Sequence, residues 1–324
     1  MKAAVLTESG IAVAEVPAPR PKPNEVLVRV RACSLNRADL IMASGRKHGS
    51  HGGPGTIPGL EWAGEVVECG AEVPAGTVKP GDRVMASGSG GYAELAVTDW
   101  GRMLPIPADM GFEEATTLPL ALKTMHDALV TNGRLAAGDA VLIQGASSGV
   151  GLMGLQIAKR MGARLVIGTS TRADRRARLA EFGADLALDS HDPAWADRAL
   201  EATAGKGVDL IVDQISAGVM NQNMKAAAVL GRIVNVGRLG GFSGEFDFDL
   251  HALKRITYVG VTFRTRSVEE VRTITRRMRE DLWDAVTART LRLPIDHVFP
   301  LEQAADALAR MKAGAHLGKI VMTP

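Results

Sequence analysis

At 324 residues, 46% hydrophobic and 23% charged, the chain has the makeup of a globular protein with room for about two domains. A formal net charge of +2 gives no field that would gather nucleic acid or an anionic membrane. Two cysteines, Cys33 and Cys69, exclude a disulfide framework and a cysteine-rich zinc site, and they point to a reducing compartment.

The opening stretch MKAAVLTESG lacks the apolar core of a signal peptide, so a cytoplasmic location is expected. Downstream, NEVLVRVRACSLN alternates apolar and polar residues as a half-buried strand does. WAGEVVECG, GDRVMAS and GGYAELAVT repeat the style at short spacing, which predicts an antiparallel β-barrel or sandwich. Within this region IPGLEWAGEVVECG sets a carboxylate, Glu61, among apolar and small residues. A buried, unpaired carboxylate costs several kcal/mol, so Glu61 is a metal ligand, a catalytic acid or an acid with a structural partner. The glycine-rich loop GRKHGSHGGPGTIPG reads as a lid in which Lys47 and His48 attract an anionic group on a substrate, or as a solvated loop. A zinc pair of His48 and His51 lacks further ligands nearby.

Near MGFEEATTLPLALKTMHDALV the apolar period shifts from two towards 3.6, announcing helix. From Ala140 onward strand and helix alternate. The strands read AVLIQGA, RLVIGTS, DLALDS, VDLIVDQ, GRIVNVG and TYVGVTF. The helices read VGLMGLQIAKRMG, RADRRARLAEFG, AWADRALEATAG and MNQNMKAAAVL. Apolar strands joined by helical crossovers specify a doubly wound parallel sheet, an α/β architecture beside the β-rich domain. The long uncharged stretch AVLIQGASSGVGLMGLQIA is no membrane span, because its glycines and serines divide it into strand, turn and helix. After Arg264 come two helical stretches and LGKIVMTP, a closing strand expected to return to the first domain. The domain expectation is therefore 1–119 with 264–324, and 120–263.

The turn GASSGVG, between strand and helix, lets backbone approach a pyrophosphate at a helix N-terminus. Aligned on Gly151, the first two glycines of G-x-G-x-x-G are replaced by Ala146 and Ser148, and Ser147, Gly149 and Val150 complete the turn. The motif departs from consensus, and its place inside a βαβ unit carries the reading. An NAD-binding fold sets an acid about 20 positions on, at the ribose hydroxyls. Here that place holds Ser170, followed by Thr171, Arg172 and Arg175. Hydroxyls and guanidiniums suit a 2′-phosphate, so NADPH is the expected cofactor.

With PGLEWAGEV, KPGDRV, GGYAELA and GASSGVG in this order, the chain resembles the medium-chain dehydrogenase/reductase superfamily over essentially its full length. The resemblance implies a GroES-like barrel domain and a Rossmann domain with the cofactor in the cleft between them. Zinc-dependent members carry ligands where this sequence has Asn36, Leu60 and Leu120, and the lobe for structural zinc is missing, so no metal is expected. Glu61 then becomes an acid paired with a cation or held by backbone amides.

ACSLNRADLIMASG and GVTFRTRS are similar to the zinc-free, zeta-crystallin-like quinone oxidoreductases. That resemblance implies NADPH-dependent reduction of a quinone by a homodimer or homotetramer built partly through Rossmann sheet edges. It places Asn36 and Thr124 beside the nicotinamide and substrate, with Leu60, Lys47 and His48 in the substrate site. Asp39 matches the acid of the same motif, with a role in holding the loop equally open. Val236, Gly237, Phe263 and Lys319 would approach the nicotinamide half. Ser190 stands where relatives use a Tyr near the 2′-phosphate, so Arg172 and Arg175 would supply more of that binding. The rival readings are an NADPH-dependent reductase of enones or enoyl thioesters and a non-catalytic NADPH-binding protein.

Overall fold

Alternation in the strand Glu25–Ser34 turns Val26, Val28 and Val30 into a core with Trp62, Val84 and Tyr92, while Arg29 and Arg31 stay exposed. This computed structural model describes residues 1–47, 49 and 51–324; His48, expected in the substrate site, lies outside the described residues. Glu25–Ser34 is the hub of a seven-stranded sheet ordered Ile295–Pro300, Lys319–Thr323, Glu25–Ser34, Glu61–Cys69, Arg83–Ser87 and Met103–Pro105, with Leu95–Asp99 also paired to Glu25–Ser34. Lys319–Thr323 runs antiparallel to Glu25–Ser34, setting Val321 opposite Ser34 and Met322 opposite Cys33. The β-rich unit comprises Met1–Leu120 and Phe263–Pro324.

The second unit, Ala121–Thr262, contains the doubly wound sheet. Its strands are all parallel, in the order Leu186–Leu188, Leu165–Thr169, Ala140–Ile143, Val208–Asp213, Ala227–Asn235 and Thr257–Gly260. The order reverses between Ala140–Ile143 and Val208–Asp213, the switch point at which such sheets bind ligands. Both strands are almost wholly buried, which explains their unbroken apolar runs.

Two local helix expectations needed correction, and a third region proved helical in segments. MNQNMKAAAVL is helical over Met220–Ala226 alone; Ala227 already pairs with Val208, and Arg232 pairs with Leu210, so the alanines enter the sheet across a bulge. Pairing with a neighbour overrides alanine's helix preference there. RADRRARLAEFG splits into Ala173–Arg176 and a 3₁₀ turn, Leu179–Phe182. The stretch from 110 to 130 breaks before Pro119, which starts the helix Pro119–His126, and continues as a π-helix, Asp127–Asn132. No helix among the described residues is long and apolar enough to cross a membrane.

The 20-residue helix Val268–Thr287 is fastened to the β-rich unit by Arg272. Its Nε and Nη2 donate to Asp99 Oδ1 and Oδ2 at 2.9 and 2.7 Å, and its guanidinium lies 4.4 Å from the Trp100 ring centre. Burial alone would raise the Asp99 carboxyl; hydrogen bonds from Arg272 and Asn24 overcome it and hold the group below the usual range. We predict that Arg272→Ala costs about 3 kcal/mol near pH 7, because Asp99 is left buried without its cation. A lowered carboxyl stabilises the fold above its unfolded value and loses that contribution as pH falls. Urea titrations should therefore show the gap between wild type and variant narrowing below about pH 4.

Candidate active site

Glu61 opens the strand Glu61–Cys69 and is fully buried. Gly59 brings the chain there at φ +99; a Cβ on it would stand 2.5 Å from the Tyr92 ring and 2.7 Å from the Tyr92 nitrogen, so the turn requires glycine. Glu61 Oε1 accepts from Ser34 Oγ at 2.6 Å, Asn36 Nδ2 at 2.9 Å and Lys319 Nζ at 2.5 Å. Its Oε2 accepts from the Leu120 backbone N–H at 2.8 Å. Both partners that the sequence left open, a cation and a backbone amide, are present.

Lys319 is 4% exposed. Besides Glu61 it donates to Leu35 O and to Asn36 Oδ1, each at 3.0 Å. An ammonium has three protons, and three acceptors take them. Whatever Lys319 does for a cofactor therefore runs through Asn36 and Glu61. Asn36 is clamped in turn, its Nδ2 towards a carboxylate and its Oδ1 towards an ammonium. Flipping the amide would set oxygen against carboxylate and N–H against ammonium. Only one of the two Nδ2 protons is well used, since the remaining contact, to Ser34 O, is 3.4 Å long.

Asp39 braces this arrangement from behind. Its Oδ2 accepts from the Asn36 N–H and the Tyr92 hydroxyl, both at 2.7 Å, and its Oδ1 from the Gly59 N–H at 3.3 Å. The acid thus ties the start of the helix Arg37–Ala43 to the turn that delivers Glu61. Burial pushes the Asp39 carboxyl up to about 6 against these donors and Lys319. Burial also raises the Cys33 thiol, which leaves it unreactive. Leu60 and Leu120 flank Glu61 without ligand atoms, and among the described residues no three His, Cys, Asp or Glu side chains gather as metal ligands. Lys47 is exposed, and Phe263 is half-buried.

In the other unit, Ser148 caps the helix Gly149–Arg160, its Oγ accepting from Gly151 N at 3.0 Å. A Cβ on Gly151 would lie 2.6 Å from Gly145 O and 2.7 Å from Ala146 Cα, so this glycine lets helix and strand close up. Ala146 and Ser148 occupy the two positions where the motif has glycine, and the turn still forms because the positive φ, +67, falls on Gly145. Gly145, Ser147 and Ser148, small and half-buried before a helix N-terminus, fit the close approach of a pyrophosphate. Ser170 Oγ is 3.0 Å from Ser147 Oγ, so the second strand's end meets the turn. Beyond it the cations have partners: Arg172 pairs with Asp174 at 3.1 Å and Arg176 with Asp189 at 3.0 Å. Thr171 is exposed; Arg175, Ser190, Val236 and Gly237 are half-buried around the C-terminal ends of the strands. Thr124 is half-buried in Pro119–His126.

Sequence reasoning missed Ser34, Tyr92 and the partnership of Lys319 with Glu61. The alternation of Glu25–Ser34 predicts burial of Ser34, which was a signal that its hydroxyl needed a partner.

Residues 22–108 match the model of the alcohol dehydrogenase GroES-like domain, and residues 149–280 that of zinc-binding dehydrogenase. Among curated proteins, a component of the phenolphthiocerol/phthiocerol polyketide synthase of Mycobacterium tuberculosis is 32% identical over 311 residues, 96% of this chain. The chain spans 14% of that protein's length. Quinone oxidoreductase-like protein 2 of Bos taurus is 29% identical, with 96% of this chain and 88% of that protein covered. Among solved structures, a probable oxidoreductase from Mycobacterium abscessus is 32% identical, with a TM-score of 0.84 and 100% and 99% of the two chains covered. The mycobacterial Rv1454c, solved in complex with NADPH, is 26% identical with a TM-score of 0.89, and both chains are covered in full, 100% each.

Two measurements check the buried cluster. Lys319→Met should lower stability by about 3–5 kcal/mol, since Glu61 is left buried without its cation, whereas adding Glu61→Gln should return part of that loss. Thermal denaturation of the single and double variants reads this coupling. Asp39 carries the opposite pH signature to Asp99: its carboxyl is raised when folded, so its contribution to stability falls as pH rises from about 4 to about 6 and then levels off. In Asp39→Asn that slope should vanish from the pH dependence of unfolding.

Proposed function

Because the chain belongs to the medium-chain dehydrogenase/reductase superfamily, we propose that this oxidoreductase is a zinc-independent, NADPH-dependent quinone reductase. The observation that carries the reading is the clamped Asn36 amide, with one N–H held by Glu61 and another engaged at only 3.4 Å. That N–H is a donor fixed in direction before any acceptor arrives, the property that stabilises charge developing on a carbonyl oxygen. Lys319 and Glu61 are positioning residues in this scheme, because they prevent the amide from turning over. Thr124 would supply a second donor through its hydroxyl. A quinone is already strongly electrophilic and needs no Lewis acid, so orientation and one or two donors suffice.

The turn 145–151 and the N-terminus of Gly149–Arg160 would hold the pyrophosphate, and Ser170, Thr171, Arg172, Arg175 and Ser190 the phosphorylated ribose. Val236, Gly237 and Phe263 line the nicotinamide half in this proposal. The NADPH-bound relative supports the phosphorylated form, while the Arg172–Asp174 pair requires that guanidinium to exchange a carboxylate for a phosphate. When bound, the cofactor supplies the reducing equivalents, and solvent the proton. We further propose a homodimer that pairs through the edge strand Thr257–Gly260, whose Tyr258 is 42% exposed; Phe248 and Leu253 of the preceding helix Phe248–Lys254 are exposed too.

A second reading, reduction of a carbon–carbon double bond in an enone or enoyl thioester, is favoured by the polyketide synthase relative and by exposed Lys47, which suits phosphates on a thioester carrier. It requires a proton at the α-carbon as well. NADPH oxidation with ortho-quinones, para-quinones, enones and enoyl-CoA separates the readings, and quinones should turn over fastest. Asn36→Ala is expected to lower kcat for the quinone by about 100-fold with the fold intact. Unchanged turnover in both Asn36→Ala and Thr124→Ala would remove these two residues from the mechanism.

A further inference from the structure

Beneath the turn 145–151 lies a run of buried polar side chains whose hydrogen bonds all point one way. The Gly145 N–H donates to Thr169 Oγ1 at 3.1 Å, and Thr169 Oγ1 donates to Gln144 Oε1 at 2.6 Å. Gln144 Nε2 donates to Asn223 Oδ1 at 2.7 Å, and Asn223 Nδ2 to Asp213 Oδ2 at 3.1 Å. Thr169, Gln144, Asn223 and Asp213 are each 0% exposed. Every group in the run has one donor turned towards Asp213, so the carboxylate fixes the sense of each amide and hydroxyl before it.

Asp213 does not end there. Its Oδ1 accepts from Ile215 N at 2.7 Å and Ser216 N at 3.0 Å. This holds Ser216 at φ +68, a conformation unusual for a residue with a side chain. Ser216 Oγ then donates to Gly237 O at 2.6 Å, and the Asn235 amide donates to that same Oγ. A second strut runs alongside: Gln214 Nε2 donates to Gln144 O at 3.0 Å, and Gln214 Oε1 lies 3.1 Å from Ser148 Oγ, the helix cap. One end of the run therefore sets the phosphate turn, and the other sets the turns 214–216 and 236–237.

We infer that Asp213 and Asn223, acting through Gln144, Thr169 and Ser216, are positioning residues that couple the pyrophosphate end of the dinucleotide site to its nicotinamide end. Neither residue touches a ligand in this scheme. The inference rests on the dinucleotide reading for its functional consequence, whereas the coupling itself is a property of the free protein. Buried networks of this kind act as a unit, because a break anywhere leaves unpaired polar groups on both sides.

The test uses Asn223→Leu, which cuts the run at its middle without altering either turn, and the swap Asp213→Asn with Asn223→Asp, which can satisfy the same contacts with the charge moved one place. Amide hydrogen exchange of the free protein is the first readout. Asn223→Leu should speed exchange at least 10-fold both in 145–151 and in 214–217, and leave the strands Ala140–Ile143 and Val208–Asp213 protected. The swap should return both segments towards wild-type rates. Calorimetric binding of NADP⁺ is the second, and Asn223→Leu should weaken it about 10-fold, with the swap recovering most of the loss. Loosening at one turn alone, or loss without recovery in the swap, overturns the coupling. If wild type binds neither NADP⁺ nor NAD⁺ while the exchange pattern appears as stated, the coupling stands and the dinucleotide reading falls. If wild type binds NADP⁺ and Asn223→Leu binds it equally well, the positioning role falls.

Discussion

The contact between Glu61 and Lys319 is the constraint on which the β-rich unit's chemistry depends. A carboxylate with no exposed surface survives there because an ammonium at 2.5 Å and a backbone N–H at 2.8 Å share its charge. Apolar pairs of similar volume often hold such sites together as well as ion pairs do, so a buried ion pair is weak evidence of a role in stability. What the charges add is direction. Asn36 sits between them with its amide polarity dictated by a negative group on one side and a positive group on the other. Asp39 repeats the logic one layer back, where its bonds to Asn36, Tyr92 and Gly59 fix the backbone on which that amide rides.

The two units solve a shared problem by different means. In the β-rich unit an ion pair orients one amide. In the parallel-sheet unit a buried acid, Asp213, orients a succession of neutral groups that ends at the turn 145–151. Both devices keep polar groups in fixed attitudes away from water, where hydrogen bonds are strongest and reorganisation is least.

Much of this was legible in the amino-acid order. The central parallel strands Leu165–Thr169, Ala140–Ile143 and Val208–Asp213 announced themselves as apolar runs because burial on both faces leaves no polar alternation to confuse the pattern. The turn 145–151 was legible despite its missing glycines, since its place between strand and helix survives them. Glu61 declared its need for a partner by its apolar surroundings. What local pattern could not reveal was the partner's identity, because Ser34 and Lys319 reach Glu61 across 27 and 258 positions. The failure at MNQNMKAAAVL had the same origin: Ala227 joins the sheet through pairing with Val208, a contact that helix propensity does not contain. Arg272 likewise meets Asp99 across 173 positions, a pairing that local pattern does not contain.

The span of 258 residues between Glu61 and Lys319 also orders events in time. During synthesis the strand Glu61–Cys69 leaves the ribosome long before Lys319–Thr323 exists, so a nascent chain must carry this acid wet or protonated. Closing so long a loop is entropically slow, which places completion of the centre among the final acts of folding. The acid's neutralisation therefore waits on the pairing of Lys319–Thr323 with Glu25–Ser34.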